Sequence, residues 1–158
     1  MRAGPKPGHQ PLNRDAIRAL LPYGEDFLFL DWAEHLQERQ ITAQFTWLRE
    51  RPELHAHFAG GPPVVPGVLL AEQVMQSALL LAILEGRHLP RRPAQLGQFR
   101  CEIFGVAAGG CRIQTETTID VVLADKCAFR GTCMLDGKPI AMVRGIATIQ
   151  TVNTATSP

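Results

Sequence analysis

Charge of one sign, closely paired cysteines, a leader-like apolar run and low-complexity tracts are all missing from this chain. Sixteen basic residues stand against fifteen acidic ones, a formal charge of +1. That balance argues against a nucleic-acid-binding domain, which carries a strongly basic face. Four cysteines are present, Cys101, Cys111, Cys127 and Cys133. None forms a Cys-x-x-Cys pair or a zinc-finger spacing, so they read as small packing residues in a reduced compartment. The opening MRAGPKPGHQP holds no apolar segment of the secretory kind, and a cytoplasmic protein is expected. No repeat or internal linker interrupts the chain.

What is present suits one folded unit. The chain has 158 residues, 46% of them hydrophobic, enough for a single core. Residues 1–12, rich in Pro and Gly, are expected to form a flexible tail, 13–151 one domain, and the small polar residues 152–158 a second tail. Asn13 suits the cap of a short helix from Arg14 to Leu21. FLFLDW, from Phe27, reads as a buried strand. Ile41, Ala43, Phe45 and Trp47 alternate with polar residues, the pattern of a half-buried strand. After Pro66-Gly67 comes VLLAEQVMQSALLLAILEG, whose length favours a helix and whose Gly86 is a stop signal. Apolar nearly all round, it calls for enclosure by protein. Glu72, Gln73 and Gln76 interrupt it, which argues against a membrane span.

The second half reads as strands. Ile113, Thr115, Thr117, Ile119 and Val121 share one face, with Arg112, Gln114, Glu116 and Asp120 on the other. Asp136-Gly137 between two apolar segments signals a hairpin. Ala141, Val143, Gly145, Ala147 and Ile149 then offer a face of mostly small residues on which a helix can lie. One long buried helix and five or six antiparallel strands make an α+β chain. A sheet that must cover one apolar helix has to curl round it, which is the hot-dog fold. Its open edge is expected to pair with a second copy.

The segment HAHFAGGPPVVPGVLLAEQVMQ, 55–76, concentrates chemistry. His57 is a base suited to neutral pH. The helix start at Pro66-Gly67 offers free N–H groups and a positive dipole end for a developing oxyanion. Glu72 lies in an apolar helix, where desolvation favours its acid form. Gln76 follows one turn later, within reach of that carboxyl. Base, oxyanion donors and acid suit proton abstraction beside a carbonyl with protonation of a leaving group. His55 and His57 alone, with no third ligand beside them, do not make a metal site.

This segment resembles the FabZ-type 3-hydroxyacyl-acyl-carrier-protein dehydratases. Their signature is His-Phe, a Gly/Pro loop, Pro-Gly-Val-Leu, then Glu and Gln. The chain has His57-Phe58, Pro66-Gly67-Val68-Leu69, Glu72 and Gln76 in that order. AIRALLPYGEDFLFLD is similar to the family's opening helix and first strand, and FRGTCMLDGKPIAMVRGIATI to its closing hairpin. The resemblance implies that His57 takes a proton from C2 of a (3R)-3-hydroxyacyl thioester. Glu72, from a partner subunit, would protonate the departing C3 hydroxyl, and N–H groups near Gly67 and Val68 would hold the thioester oxygen. Phe58, Pro66, Gly67, Val68 and Gln76 would line the substrate, with the acyl chain in a tunnel along the helix. No metal or organic cofactor is implied, and neither nucleic acid nor membrane. The partners implied are an acyl carrier protein and a second subunit, in a homodimer, an oligomer of dimers, or a heterodimer with a homologue.

The chain departs from the family in places. The loop from His57 to Pro66 is one residue longer, Ala59 stands where proline is common, and Ala56 where glycine is usual. Tyr23-Gly24-Glu25-Asp26 replaces a basic-aromatic-proline run. These changes bear on acyl length and pathway, fatty-acid or polyketide, more than on the chemistry. Arg87, Arg91 and Arg92, with His88, follow the long helix. They suit docking of an acidic carrier protein, or equally a helix C-terminus and a solvated loop. The rival readings of the whole chain are a hot-dog thioesterase and a non-catalytic acyl-binding subunit of a heteromeric dehydratase.

Overall fold

The computed structural model describes residues 10–151. The expected tails 1–12 and 152–158 thus fall almost wholly outside the described residues. Leu12, placed in the first tail from sequence, pairs instead with Ala33. The element order is β1 (Leu12–Asn13), α1 (Arg14–Leu20), a 3₁₀ turn (Glu25–Phe27), β2 (Trp32–Gln37), β3 (Gln40–Thr46), α2 (Pro52–His57), α3 (Gly67–Leu84), β4 (Gln95–Ile103), β5 (Arg112–Leu123), β6 (Lys126–Leu135) and β7 (Lys138–Thr148). Asn13 caps α1 as expected, its side chain accepting from the Ala16 N–H at 2.9 Å. Asp136 and Gly137 both have positive φ, 50° and 74°, the conformation of a two-residue hairpin turn.

The strands form one antiparallel sheet in the order β1-β2-β3-β5-β6-β7-β4. It curls round α3 without closing: the hot-dog fold. There are seven strands, against the five or six expected, because the two-residue β1 leaves almost no sequence pattern. By length and composition α3 is apolar enough to cross a membrane, but in the fold it is the core helix, 67% buried. Its contacts divide the core in two. One cluster packs Leu70, Ala71 and Val74 against Phe29, Phe45 and Trp47, and the other packs Leu80 and Leu81 against Ile17, Leu21 and Leu30.

Two strand expectations need correction. Residues 27–31 are not a strand, although Leu28, Phe29 and Leu30 are fully buried. Here a side chain replaces a neighbouring strand: Gln76 of α3 accepts from the Phe29 N–H and donates to the Phe27 carbonyl, both at 2.8 Å. The ladder begins only at Trp32. In β5, Ile113, Thr115, Thr117 and Ile119 are buried as expected, but Val121 is 53% exposed. A register shift between Ile119 and Val121 breaks the period of two and turns Val121 outward.

Small residues on β7 allow close packing. A β-carbon on Gly145 would stand 2.6 Å from Phe129 Cζ and 3.1 Å from the Gln98 carbonyl. Gly145→Ala is therefore expected to cost about 1–3 kcal/mol through overpacking. That exceeds the ~0.4–1 kcal/mol gained from a less flexible unfolded chain. A lower melting temperature would bear this out, and an unchanged or raised one would refute it.

β4 forms the open edge. It pairs with β7 along one side only. Phe99, Cys101 and Ile103 lie opposite Gly145, Val143 and Ala141, so they face the concave side with the helix. Yet Phe99 is 46% and Ile103 53% exposed, because the single α3 does not reach out far enough to cover them. An apolar strand with free edge N–H and C=O groups is a surface that natural folds cover.

Candidate active site

Glu72 lies one turn and a half into α3 and is half-buried. Gln76 Nε2 donates to Glu72 Oε1 at 3.1 Å. Gln76 itself is fully buried and held by the backbone of 27–29, so it fixes the carboxyl from a rigid base. Burial pushes the Glu72 carboxyl up from its usual range, and the Gln76 hydrogen bond only partly opposes this.

Glu72 faces a cavity of about 250 Å³. The helix contributes Glu72, Met75, Ala78, Leu79 and Ala82 to its wall. These lie along one stripe of α3, and the ten residue steps from Glu72 to Ala82 cover about 15 Å. The sheet supplies Leu96, Cys127, Phe129, Ala147 and Ile149, and the opening turn supplies Tyr23 and Phe27. The cavity is thus a lengthwise apolar slot with a carboxyl near one end.

The helix start has the geometry expected of it. Leu69 and Leu70 N–H donate to the Pro66 carbonyl at 2.9 and 3.3 Å. That leaves the Gly67 and Val68 N–H groups outside the helix ladder. A β-carbon at Gly67 would meet the Cδ1 end of the exposed Ile103 side chain, which would have to turn aside. Pro66 is buried, while Val68 is 67% exposed.

His57 ends α2, a helix that sequence patterning did not reveal; only six residues long, it spans under two turns. The ring of His57 lies 4.2 Å from that of Phe58. Phe58 is 57% exposed, and His57 is exposed too. His57 is not among the residues lining the Glu72 cavity of its own chain. The structure therefore joins Glu72 and Gln76, while Phe58, Pro66, Gly67 and Val68, like His57, are not among the residues lining the cavity, and the histidine lies on an open surface. His55, on the same helix, bonds the Arg49 carbonyl at 2.8 Å, the role of a loop residue. Arg51 anchors α2. It donates to the Asp26 carbonyl at 2.8 Å and Glu53 Oε1 at 2.6 Å, with its guanidinium over Phe29, Phe45 and Trp47.

The basic residues after α3 are less uniform than their sequence suggests. Arg87 is engaged with Glu85 at 2.7 Å and Glu38 at 3.5 Å. Arg91 donates to the Arg18 carbonyl at 3.0 Å, and Arg92 is exposed. His88 belongs to no surface cluster, being 1% exposed. Its Nδ1 accepts the Gln150 N–H at 2.9 Å and its Nε2 faces the Arg92 carbonyl at 2.8 Å, which specifies the neutral tautomer protonated on Nε2. The cysteines are free thiols. Cys133, fully buried, has its thiol pushed up to about 12 by burial, a packing residue and not a nucleophile.

Two residues of the site were missed in sequence. Gln73, fully buried on α3, accepts from Trp47 Nε1 at 3.1 Å and donates to the Ile113 carbonyl at 3.0 Å, clamping the helix to β3 and β5. Tyr23 lines the Glu72 cavity; in sequence it stood out only as part of an unusual opening turn.

No family model matches the chain. It is similar in sequence to the 3-hydroxyacyl-[acyl-carrier-protein] dehydratase FabZ of Clostridium perfringens, 25% identical over 128 residues, covering 80% of this chain and 91% of that protein. The FabZ of Pediococcus pentosaceus is 33% identical over 87 residues, 54% of this chain and 57% of the relative. Among solved structures, the dehydratase heterocomplex ApeI:P of Xenorhabdus doucetiae superposes with a TM-score of 0.69 at 13% identity, covering 85% of this chain and 91% of that one. A hypothetical thioesterase with coenzyme A from Streptococcus pneumoniae gives 0.60 at 9% identity, covering 75% and 84%. The resemblance to FabZ-type dehydratases and the hot-dog fold both stand on these matches.

Proposed function

We propose that this chain dehydrates (3R)-3-hydroxyacyl thioesters of an acyl carrier protein to trans-2-enoyl thioesters. The observation that carries the reading is Glu72: a carboxyl held by Gln76, desolvated toward its acid form, at one end of an apolar slot. His57 removes the C2 proton. The C2–H electron pair becomes the C2=C3 double bond, the C3–O bond breaks, and Glu72 delivers its proton so that water leaves. N–H groups of Gly67 and Val68 hold the thioester oxygen while charge gathers there. Phe58 and Pro66 flank the thioester beside them.

His57 and Glu72 act together across a dimer. The uncovered concave face at Phe99 and Ile103, the free edge of β4 and the exposed His57-Phe58 pair all support a second copy, or a homologue, seated there. The slot takes the acyl chain. Arg91 and Arg92, at the protein surface, are the carrier-docking residues this reading favours over the paired Arg87.

Mass spectrometry of (3R)-3-hydroxyoctanoyl carrier protein incubated with the protein tests the reading. Loss of one water, reaching a mixture of hydroxyacyl and enoyl forms, is the expected result. Release of free carrier thiol would make the chain a thioesterase, the activity named for one structural neighbour.

A further inference from the structure

Tyr23 and Glu72 are the residues lining the slot that carry a side-chain oxygen; the rest of the wall is hydrocarbon and sulfur. Tyr23 is the sole tyrosine of the chain and is half-buried. Its ring leans on Phe27 with centroids 6.1 Å apart, and both residues line the same cavity as Glu72. No described group hydrogen-bonds the phenol. Gln76 donates to Glu72 Oε1 at 3.1 Å, so one carboxyl oxygen is committed and the other has no described hydrogen-bond partner. A purely methylene chain entering this slot would leave the phenol without a partner, at a cost of about 1–3 kcal/mol. An oxygen atom lying between the two groups would satisfy both.

Building on the dehydratase reading above, we propose that Tyr23 is a second hydrogen-bonding residue for the oxygen on C3, the one that departs as water. The phenol holds that oxygen in line with the Glu72 proton and transfers no proton itself. Burial raises the phenol above its ordinary value, with the Glu72 charge adding to the effect, so the O–H remains a donor across the working pH range. As the C3–O bond breaks, negative charge grows on that oxygen, and the hydrogen bond strengthens as the transition state is approached. The residue falls in the turn where the chain departs from the FabZ pattern, so it is a feature of this chain's own slot.

The test is Tyr23→Phe, which removes the hydroxyl and keeps the ring. With (3R)-3-hydroxyoctanoyl carrier protein, kcat is expected to fall about 3–10-fold, the worth of one ordinary hydrogen bond. Octanoyl carrier protein, which lacks the C3 oxygen, serves as a competitive inhibitor. It is expected to bind Tyr23→Phe at least as tightly as the wild type, because the variant has no phenol to strip of its partner, whereas loss of a merely space-filling group would weaken it. Wild-type turnover by Tyr23→Phe would overturn the assignment and leave the dehydratase reading intact. Equal losses in octanoyl binding and in turnover would make Tyr23 a wall of the slot and overturn it as well. Absence of water loss with the wild type itself would overturn the reading beneath it and this assignment together.

Discussion

Mixing two inactive variants of this chain, His57→Ala and Glu72→Gln, is expected to restore about a quarter of the wild-type rate in a symmetric dimer. Each variant alone should lose about 10²–10⁴-fold, the usual contribution of a general base or acid. The rescue follows from where the two residues lie. His57 is exposed at the end of α2, and the cavity that Glu72 enters is not lined by the His57 of the same chain. If each site draws its base from one subunit and its acid from the other, a mixed dimer has one intact site and one site lacking both groups. Random pairing makes half the dimers mixed, and half the sites in those are whole. Refolding the variants together from denaturant and assaying against each alone measures the effect. Native mass spectrometry shows whether mixed dimers have formed. Mixed dimers without rescue would place both groups in a single chain and refute the shared site.

The same uncovered edge explains why rescue requires dimers at all. Phe99 and Ile103 face the concave side but find no helix over them. A second α3 beside the first would cover them, bury Val68 and bring a foreign His57-Phe58 toward the Glu72 slot. Oligomer state and activity should therefore fail together when the inward-facing Phe99 or Ile103 of β4 is replaced by a charged residue.

Much of this was legible in the sequence, for physical reasons that differ by element. The long helix showed itself because a buried helix is apolar all round, and its boundaries were marked by Pro66-Gly67 and Gly86. The hairpin at Asp136-Gly137 was legible because two consecutive positive φ values select few residue types. Glu72 and Gln76 were legible because a carboxyl inside an apolar helix is costly without a purpose. The segment 27–31 misled because burial alone does not make a strand. Its apolar residues are interior, but the Gln76 side-chain amide takes the Phe27 carbonyl and Phe29 N–H and Arg14 the Leu28 and Leu30 carbonyls, pairings that no local pattern encodes. Helix α2 was too short to express a period. In β4 the apolar Phe99, Cys101 and Ile103 alternate with the polar Gln98, Arg100 and Glu102, but a register shift between Leu96 and Gln98 breaks the period near the strand's start. Tyr23 could not be placed by spacing, since only the tertiary fold brings the opening turn over α3.

Glu72→Gln should also stabilise the protein while it removes activity. Burial raises the folded-state pKa of Glu72 above its unfolded value, because charging the carboxyl inside an apolar slot costs more than in water. A group of this kind contributes its full stabilisation at pH values below the unfolded carboxylate pKa, where it is neutral in both states. The contribution is lost as pH rises through the folded pKa, since the unfolded chain releases its proton more easily. Near pH 4 the wild type and Glu72→Gln should therefore melt alike. At pH 7–8 the variant should melt higher by about 2–4 °C, the shift for ~1 kcal/mol in a domain of this size, a modest figure because solvent screens the partly exposed carboxyl. Gln is nearly isosteric and retains an oxygen for the Gln76 amide, so packing is not expected to change. Thermal melts of both proteins across this pH range supply the measurement. A variant less stable than wild type at pH 8 would mean that the carboxylate is the favoured form in the fold, and would remove the basis for calling Glu72 the proton donor. A gap that opens with rising pH would show strain held at one residue for the sake of its proton, stored in the helix by burial and released in no other function the fold requires.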